Sequence, residues 1–169
     1  EDPDIVIDEK GLMHVYFTIA YRYIGGTRYD LYLGHAFGKD LNSLTATNPV
    51  LGPVGEDTEG FKELTPSIKT KEGHFFHLTE MARESTEGYL SIAAIHAENW
   101  NKDWTFQKVA LHPWEAKHEW CNGHVSPCRI LPREMINIGT NYILIINGRS
   151  PIKIIKGKTG ITSKEAFDL

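Results

Sequence analysis

The sequence predicts an all-β fold built from repeated antiparallel meanders, and two features of the chain lead to this prediction. Short runs rich in β-branched and aromatic residues alternate with turns of glycine and charged residues, a pattern typical of strands and tight turns. Helical periodicity is nearly absent. The same layout of strands and turns also recurs at a spacing of roughly 60 residues, which indicates an internal repeat.

Three segments carry the repeat, and each begins with a strand anchored by a proline. The anchoring strands read DPDIVI at 2–7, TPSIK at 65–69 and SPCRIL at 126–131, so the prolines recur at intervals of 63 and 61 residues. A second strand follows each turn, and these strands read HVYFT at 14–18, HFFHL at 74–78 and YILII at 142–146. Third strands are expected at 31–36, 89–94 and 152–156, with a weaker fourth strand at 106–109.

Three or four antiparallel strands per repeat are the content of one propeller blade. We therefore predict a single β-propeller-like domain with blades at 1–55, 56–113 and 114–169. Known propellers close with about 4 to 8 blades. The chain is therefore expected to be part of a larger propeller that another chain or segment completes. The alternative is a β-sandwich whose hairpins resemble one another by coincidence.

Composition narrows the classes of partner. The 169 residues include 18 Lys and Arg against 22 Asp and Glu, a formal charge of −4, which gives no electrostatic reason to expect nucleic acid. No stretch approaches the roughly 20 apolar residues of a transmembrane helix, so no membrane partner is expected. Two cysteines cannot define a disulfide framework, so the cysteine count does not indicate whether the protein belongs to an oxidising or a reducing compartment.

In a propeller the innermost strands line the central cavity, and the residues at their starts point into its mouth. The residues before the three prolines, with the titratable residues close to them, are Asp2, Thr65, Ser126, Glu1, Glu63 and His124. Asp2 and Glu63 are the best pair for cleaving a glycosidic bond, which needs a protonated acid and a carboxylate base or nucleophile. Alternatively, Asp2 only starts a turn before proline, and Glu63 belongs to the charged, loop-like stretch that includes 56–59.

These residues also carry a family resemblance. The sequences EDPDIV at 1–6 and LGHAFGKDL at 33–41 resemble the blade signature of the five-bladed propeller glycosidases, glycoside hydrolase families 43, 32 and 130. GHVSP at 123–127 is similar to the entry to a late blade in family 43. The resemblance implies a partial five-bladed propeller that cleaves glycosidic bonds of oligo- or polysaccharides by paired-carboxylate chemistry, with Asp2 as an active-site acid.

The sequence departs from the family pattern at two positions. Leu64 stands where the E-x-P acid motif has its glutamate, and Asp4 stands where family 130 has an arginine. The first departure favours the alternative function, a non-catalytic carbohydrate-binding or assembly module with the same fold. The resemblance also implies that His124 helps to hold a central ion, for which calcium is the candidate, and no other cofactor is expected.

Aromatic and charged residues supply the remaining substrate-binding candidates. All four tryptophans lie within 100–120, where packing in the core or between blades is the default role. Trp114 and Trp120 stand in loop-like sequence and are candidates for stacking on a sugar ring. Glu1, and Arg28 in the loop that follows a Gly-Gly pair, are expected to bind substrate together with His124.

A competing hypothesis is a zinc-stabilised β domain of unrelated function. Its ligands would be His118, Cys121, His124 and Cys128, which are chemically sufficient for tetrahedral zinc. Their spacing fits neither common finger arrangement, so we expect ordinary cysteines and surface histidines instead. His74 and His77 are weaker candidates still, because an odd separation in a strand sends the two side chains to opposite faces. The remaining histidines, His14, His35, His96 and His112, are scattered and form no recognisable site.

Overall fold

The chain folds as an all-β protein, which confirms the predicted class. The computed structural model describes residues 2–22, 29–55, 58–65, 68–69, 74–83, 90–115, 118–121, 123–131 and 143–149. These residues form eleven strands and no α-helix. The strands are β1 (Asp4–Ile7), β2 (Met13–Arg22), β3 (Tyr29–Gly38), β4 (Thr45–Ala46), β5 (Thr58–Leu64), β6 (Ile68–Lys69), β7 (Phe75–Arg83), β8 (Leu90–Asn99), β9 (Lys102–Leu111), β10 (His124–Leu131) and β11 (Ile143–Arg149).

The first unit, β1 to β4, is an antiparallel meander in which each strand pairs with the next. A tight turn joins β1 to β2. In this turn Asp8 Oδ1 accepts hydrogen bonds of 2.8 Å from the backbone N–H groups of Lys10 and Leu12. Gly11 supplies a φ of 77°, which glycine adopts without a steric penalty. The local sequence therefore fixes where β1 ends and β2 begins.

The second unit, β5 to β9, repeats this order with its first strand in two pieces. Both β5 and β6 pair with β7, and β7, β8 and β9 follow as antiparallel neighbours. The sequence predicts a loop at 56–59, but Thr58 and Glu59 already belong to β5. The completely buried Phe61 and the cross-strand pair of Lys62 with Glu80 hold this polar segment in the sheet.

In the third unit the structure describes two antiparallel strands, β10 and β11, with a bulge between Pro127 and Arg129. The third strand expected at 152–156 lies outside the described residues. The junctions between units have a common form. At each junction the third strand of one unit meets the first strand of the next through a single parallel pair, Leu31 with Gly60 and Leu90 with His124. The recurrence of this contact is the structural counterpart of the sequence repeat.

A pair of stacked histidines occupies equivalent positions in the first two units. His14 Nδ1 lies 2.9 Å from His35 Nε2, and His74 Nδ1 lies 2.7 Å from His96 Nε2. The ring centroids of the two pairs are 5.2 and 4.8 Å apart. In each pair one histidine precedes or begins the second strand and the other lies on the third strand. These histidines do form a recognisable arrangement, contrary to the sequence-based expectation, because the hairpin register brings them together.

Aromatic residues form the core between the first two units. The Tyr16 hydroxyl donates a 2.7 Å hydrogen bond to the carbonyl of Trp100, which belongs to the second unit. Trp104 packs against both Tyr16 and His77, with ring centroids 5.0 and 4.4 Å apart. A smaller cluster around Ile92, Cys121 and Val125 joins the second unit to the third. Each unit is therefore packed against its neighbour.

The described strands form one open path, with β1 and β11 at its two ends. No closed sheet is found among the described residues, so a propeller and its blade boundaries stay predictions. The fourth strand expected at 106–109 is present and longer, as β9. Among the described residues, no helix has the length and apolar character needed to cross a membrane.

Candidate functional site

A polar pocket lies on one face of the β10–β11 pair. His124 stands opposite Arg149, and Ser126 stands opposite Asn147 in the antiparallel register. Because side chains alternate between the two faces of a strand, these four side chains share one face. Together with Gly148 they line a cavity of about 290 Å³. The pocket therefore belongs to the third unit, and one of its residues, His124, also pairs with Leu90 of the second unit.

A buried carboxylate lies behind the pocket. Glu80 on β7 is completely buried. Its Oε1 lies 2.9 Å from Nζ of Lys62, and its Oε2 lies 2.7 Å from Nε2 of His124. Burial acts to raise the pKa of Glu80, but the hydrogen bonds from His124 and Lys62 and the positive charge of Lys62 outweigh it and lower the pKa below its ordinary value. Glu80 is therefore ionised at neutral pH.

The neighbours of His124 fix its tautomer. Nε and Nη2 of Arg149 lie 3.1 and 2.6 Å from Nδ1 of His124. A guanidinium group can only donate, so Nδ1 accepts and Nε2 carries the proton that is donated to Glu80. His124 is thus a neutral imidazole held between a buried anion and an exposed cation. This arrangement orients the guanidinium of Arg149 at the pocket.

The charged groups of the site run from a buried carboxylate to an exposed cation at the surface. The negative charge of Glu80 is paired with the positive charge of Lys62. The positive charge of Arg149 is separated from Glu80 by the neutral ring of His124. Among the described side chains, Arg149 makes no ion pair with a carboxylate. The described part of the pocket therefore presents one unpaired positive charge.

The predicted substrate residues His124 and Trp120 lie on opposite faces of the β10–β11 pair. A Cβ atom at Gly148 would lie 2.6 Å from the Trp120 ring, so this ring packs directly against the backbone of β11. Side chains on alternate residues point in opposite directions, which puts Trp120 behind the strand from Asn147 and Arg149. Trp120 is about half exposed, but its ring does not line the pocket.

The predicted catalytic pair is described only in part. Asp2 is exposed, with a φ of 50°, and it is the one non-glycine residue at positive φ in the described segments. Glu63 lies in β5, and its side chain is outside the described part of the structure. Two residues after Asp2, burial raises the pKa of Asp4, against the opposing effects of the Ile5 backbone N–H and the charge of Arg129.

Three other predicted substrate residues lie away from the pocket or outside the described chain. Glu1 and Arg28 fall outside the described residues. Trp114 lies in the 3-10 turn Pro113–Glu115, where its half-exposed ring stacks on His112 at a centroid distance of 4.3 Å. Trp114 therefore has a partner within its own turn and is not among the pocket-lining residues.

The four proposed zinc ligands have different environments. Cys121 is buried, and its thiol donates to the carbonyl of His118 at 3.6 Å, whereas Cys128 is exposed. His124 makes the hydrogen bonds already described. Across the described segments, no group of three or more His, Cys, Asp or Glu residues is arranged to hold a metal ion. The expectations about zinc, a central calcium ion and other cofactors stay predictions.

The site also contains side chains that were not predicted from the sequence, Glu80, Lys62, Arg149 and Asn147. Glu80 has a signal in the sequence, because a lone acid in the apolar strand segment LTEMA at 78–82 is expected to need a buried partner. Its partner depends on the register of β5 with β7, and Arg149 depends on the register of β10 with β11. Neither register follows from local sequence.

Comparison with known proteins adds no family assignment. A scan of the chain against protein-family models finds no match, and a search of curated proteins finds none. The class that the fold defines is an all-β protein of repeated antiparallel meanders with a polar pocket at a junction between units.

Proposed function

We propose that this protein binds carbohydrate in the pocket on the β10–β11 pair of the third unit. The observation that carries the proposal is the chain Glu80–His124–Arg149, which holds a guanidinium group in a fixed orientation at a polar cavity. Binding groups that are oriented before the ligand arrives lose less conformational entropy on binding. The chain therefore supplies a preorganised donor for a polar ligand.

The chemistry of the pocket suits the hydroxyl groups of a sugar, each of which both donates and accepts hydrogen bonds. Arg149 is a donor only, whereas the Asn147 amide and the Ser126 hydroxyl can donate and accept. The volume of about 290 Å³ is at the small end of ligand pockets, which usually measure roughly 300 to 1,000 Å³. A single sugar ring, with the rest of a chain outside, is the expected occupant.

We further propose that the three units are blades of a partial five-bladed propeller. The repeated third-to-first strand contacts and the equivalent histidine pairs support this proposal. In such an arrangement the first strands would face the central channel. The pocket at the start of β10 would then open at the mouth of that channel.

Glycan-array binding followed by calorimetry with the best saccharide tests the carbohydrate proposal. Arg149→Ala is expected to weaken binding at least tenfold, because charge-assisted hydrogen bonds contribute about 1.5 to 3 kcal/mol. Trp120→Ala, on the opposite face of β11, is the matched control and should bind as the unmodified protein does. Loss of binding on Trp120→Ala but not on Arg149→Ala would move the site to the other face, and no binding to any saccharide would reject the proposal.

A second candidate function is hydrolysis of glycosidic bonds with Asp2 as one of two acids. Positive φ at a non-glycine residue is a form of backbone strain that concentrates at functional sites, and Asp2 has this conformation. The raised pKa of Asp4 places a carboxyl group that protonates more readily than usual two residues away. A strained acid beside a carboxyl group of raised pKa is the observation that favours catalysis here.

Turnover of aryl glycosides by purified protein tests this second candidate. Asp2→Asn should abolish hydrolysis while the circular dichroism spectrum is retained. Glu98→Gln changes an exposed acid on β8 and should leave the rate unchanged. Hydrolysis by Asp2→Asn at the unmodified rate would remove Asp2 from the mechanism.

A further inference from the structure

The positive charge of Arg149 in the pocket bears on whether the bound saccharide is neutral or acidic. Lys62 already pairs with Glu80, and both oxygens of that carboxylate are engaged, one by Lys62 and one by His124. Within the described segments, the guanidinium of Arg149 hydrogen bonds to Nδ1 of the neutral His124 ring. A neutral sugar would leave the guanidinium without a counter-charge among the described residues.

The geometry of Arg149 favours a planar anion. Nε and Nη2 face His124, so the N–H groups of Arg149 that are not engaged by the imidazole are available to a ligand. Arginine binds carboxylates through a planar fork of paired N–H groups, an arrangement that is both stronger and more directional than a neutral hydrogen bond. Asn147 and Ser126, on the same face, can donate to the same anion.

We propose that the ligand is an acidic saccharide whose uronate carboxylate binds Arg149 in this pocket, an inference that rests on the proposed carbohydrate binding. The His124 ring positions the guanidinium from one side, and the carboxylate occupies the other. The sugar hydroxyls then contact Asn147 and Ser126. Glu80 is a positioning residue, because it holds His124 and does not itself reach the ligand.

The experiment compares pairs of saccharides that differ only in charge. Oligosaccharides of galacturonate, glucuronate and mannuronate are titrated into the full chain by calorimetry, alongside the same oligosaccharides after reduction of their carboxylates to hydroxymethyl groups. At least one acidic oligosaccharide should bind about tenfold tighter than its reduced copy. This preference should decrease with added salt, because one of the charges is exposed to solvent.

Two substitutions of Arg149 separate charge from geometry. Arg149→Gln should remove the preference for the acidic oligosaccharide and leave weak binding of the carboxyl-reduced oligosaccharide. Arg149→Lys keeps the charge without the planar fork and should retain only part of the preference. Lys108→Gln, which removes an exposed cation from β9, should have no effect and is the charge control.

The outcomes distinguish this inference from the proposed function. Equal binding of acidic and reduced copies overturns the acidic-saccharide inference and leaves carbohydrate binding in place. Absence of binding by both copies, and by the neutral glycans of the array, overturns both proposals. Binding of inorganic sulfate or phosphate at least as tight as that of every uronate would make this a general anion site and would also overturn the inference.

Discussion

Two chains of hydrogen-bonded side chains, each with a carboxylate and at least one imidazole ring, occur in this molecule, and their terminal groups differ. In the first unit Asp8 Oδ2 lies 3.5 Å from His14, His14 lies 2.9 Å from His35, and His35 Nδ1 lies 2.9 Å from the Thr47 hydroxyl. Between the second and third units, Glu80 contacts His124, and His124 contacts the exposed Arg149. The first chain ends at a hydroxyl and the second at a cation.

The groups at the ends of each chain determine which ring nitrogens of the histidines carry protons. The Thr47 hydroxyl has one proton and donates it to the carbonyl of Asn48 at 2.9 Å, so it accepts a hydrogen bond from Nδ1 of His35. Nε2 of the neutral His35 ring then accepts from Nδ1 of His14. Burial and, to a lesser extent, the nearby His14 lower the pKa of His35 to about 4. In the second chain the cation Arg149 and the anion Glu80 together select the neutral ring of His124. The first chain is satisfied within the fold, whereas the second has donors left over.

The terminal group of each chain distinguishes the two. The first chain ends within the fold, because His35 is 1% exposed and the partly buried Thr47 also bonds to the local backbone. The second ends at Arg149, which is exposed and lines an open cavity. Four experiments test this difference.

Acid should destabilise the protein through its buried histidines before its carboxylates titrate. Burial lowers the pKa values of His35 and His77 to about 4, below the ordinary value of 6.5. The unfolded state therefore binds more protons between pH 6.5 and 4, and the free energy of unfolding falls as the pH falls through this range. Each pKa unit corresponds to about 1.4 kcal/mol, so the total loss is several kcal/mol.

Urea denaturation at a series of pH values measures this loss. His77→Phe keeps an aromatic ring beside Trp104 and should make the dependence on pH shallower between pH 6.5 and 4. Identical slopes for the two proteins would contradict the buried, neutral state of His77. The lowered pKa of Glu80 adds a separate loss that begins only below about pH 4.5 and proceeds as the pH falls through its folded-state value.

The two histidine pairs should differ in stability although their geometry is alike. His35→Ala removes a completely buried ring from between Tyr16 and Phe37 and should cost about 3 kcal/mol in the free energy of unfolding. His96→Ala removes a half-buried ring and should cost about 1 kcal/mol. Denaturant titrations of both variants give the values. Equal losses would mean that burial is not what distinguishes the two pairs.

Loss of the buried charge in the second chain should have a moderate cost. Glu80→Gln leaves Lys62 and His124 without their anion and should destabilise the fold by about 2 kcal/mol, less than for a wholly buried pair because Lys62 is partly exposed. Thermal and urea unfolding measure the change. Glu98→Gln, an exposed acid on β8, is the control and should change the stability by less than about 0.5 kcal/mol.

The exposed end of the second chain should matter least for folding. Arg149→Gln should change the free energy of unfolding by less than about 0.5 kcal/mol, because the side chain is exposed. Urea denaturation of the ligand-free protein checks this expectation. A loss comparable to that of Glu80→Gln would make Arg149 part of the fold and would remove the distinction between the two chains.

Local sequence was sufficient for the class of fold and for most strands. Alternating apolar residues and glycine turns predicted β2, β3, β7 and β8, because both signals lie within a few residues of the strand. β5 was not predicted, because the first strand of the second repeat was placed at 65–69 and the pairing of β5 with β7 depends on residues about 20 positions away. The propeller itself stays a prediction.

The site was predicted less completely for the same reason. His124 was selected from its place beside the third proline, and Ser126 from the repeat, and both line the pocket. Glu80 and Arg149 come from other strands, and only the long-range registers bring them to His124. The histidine pairs had an overlooked signal, because the second strands of the first two repeats were aligned with a histidine first in each.

The two junctions between units suggest how a repeated fold can diverge. At the first junction Gly60 lies so close to the Leu31 carbonyl, with a φ of 129°, that any side chain there would overlap the backbone. At the second junction the corresponding partner of Leu90 is His124, the central residue of the pocket. A repeated unit can therefore gain a pocket where a backbone contact is exchanged for a side chain at one junction, while the other junction stays closed and maintains the core.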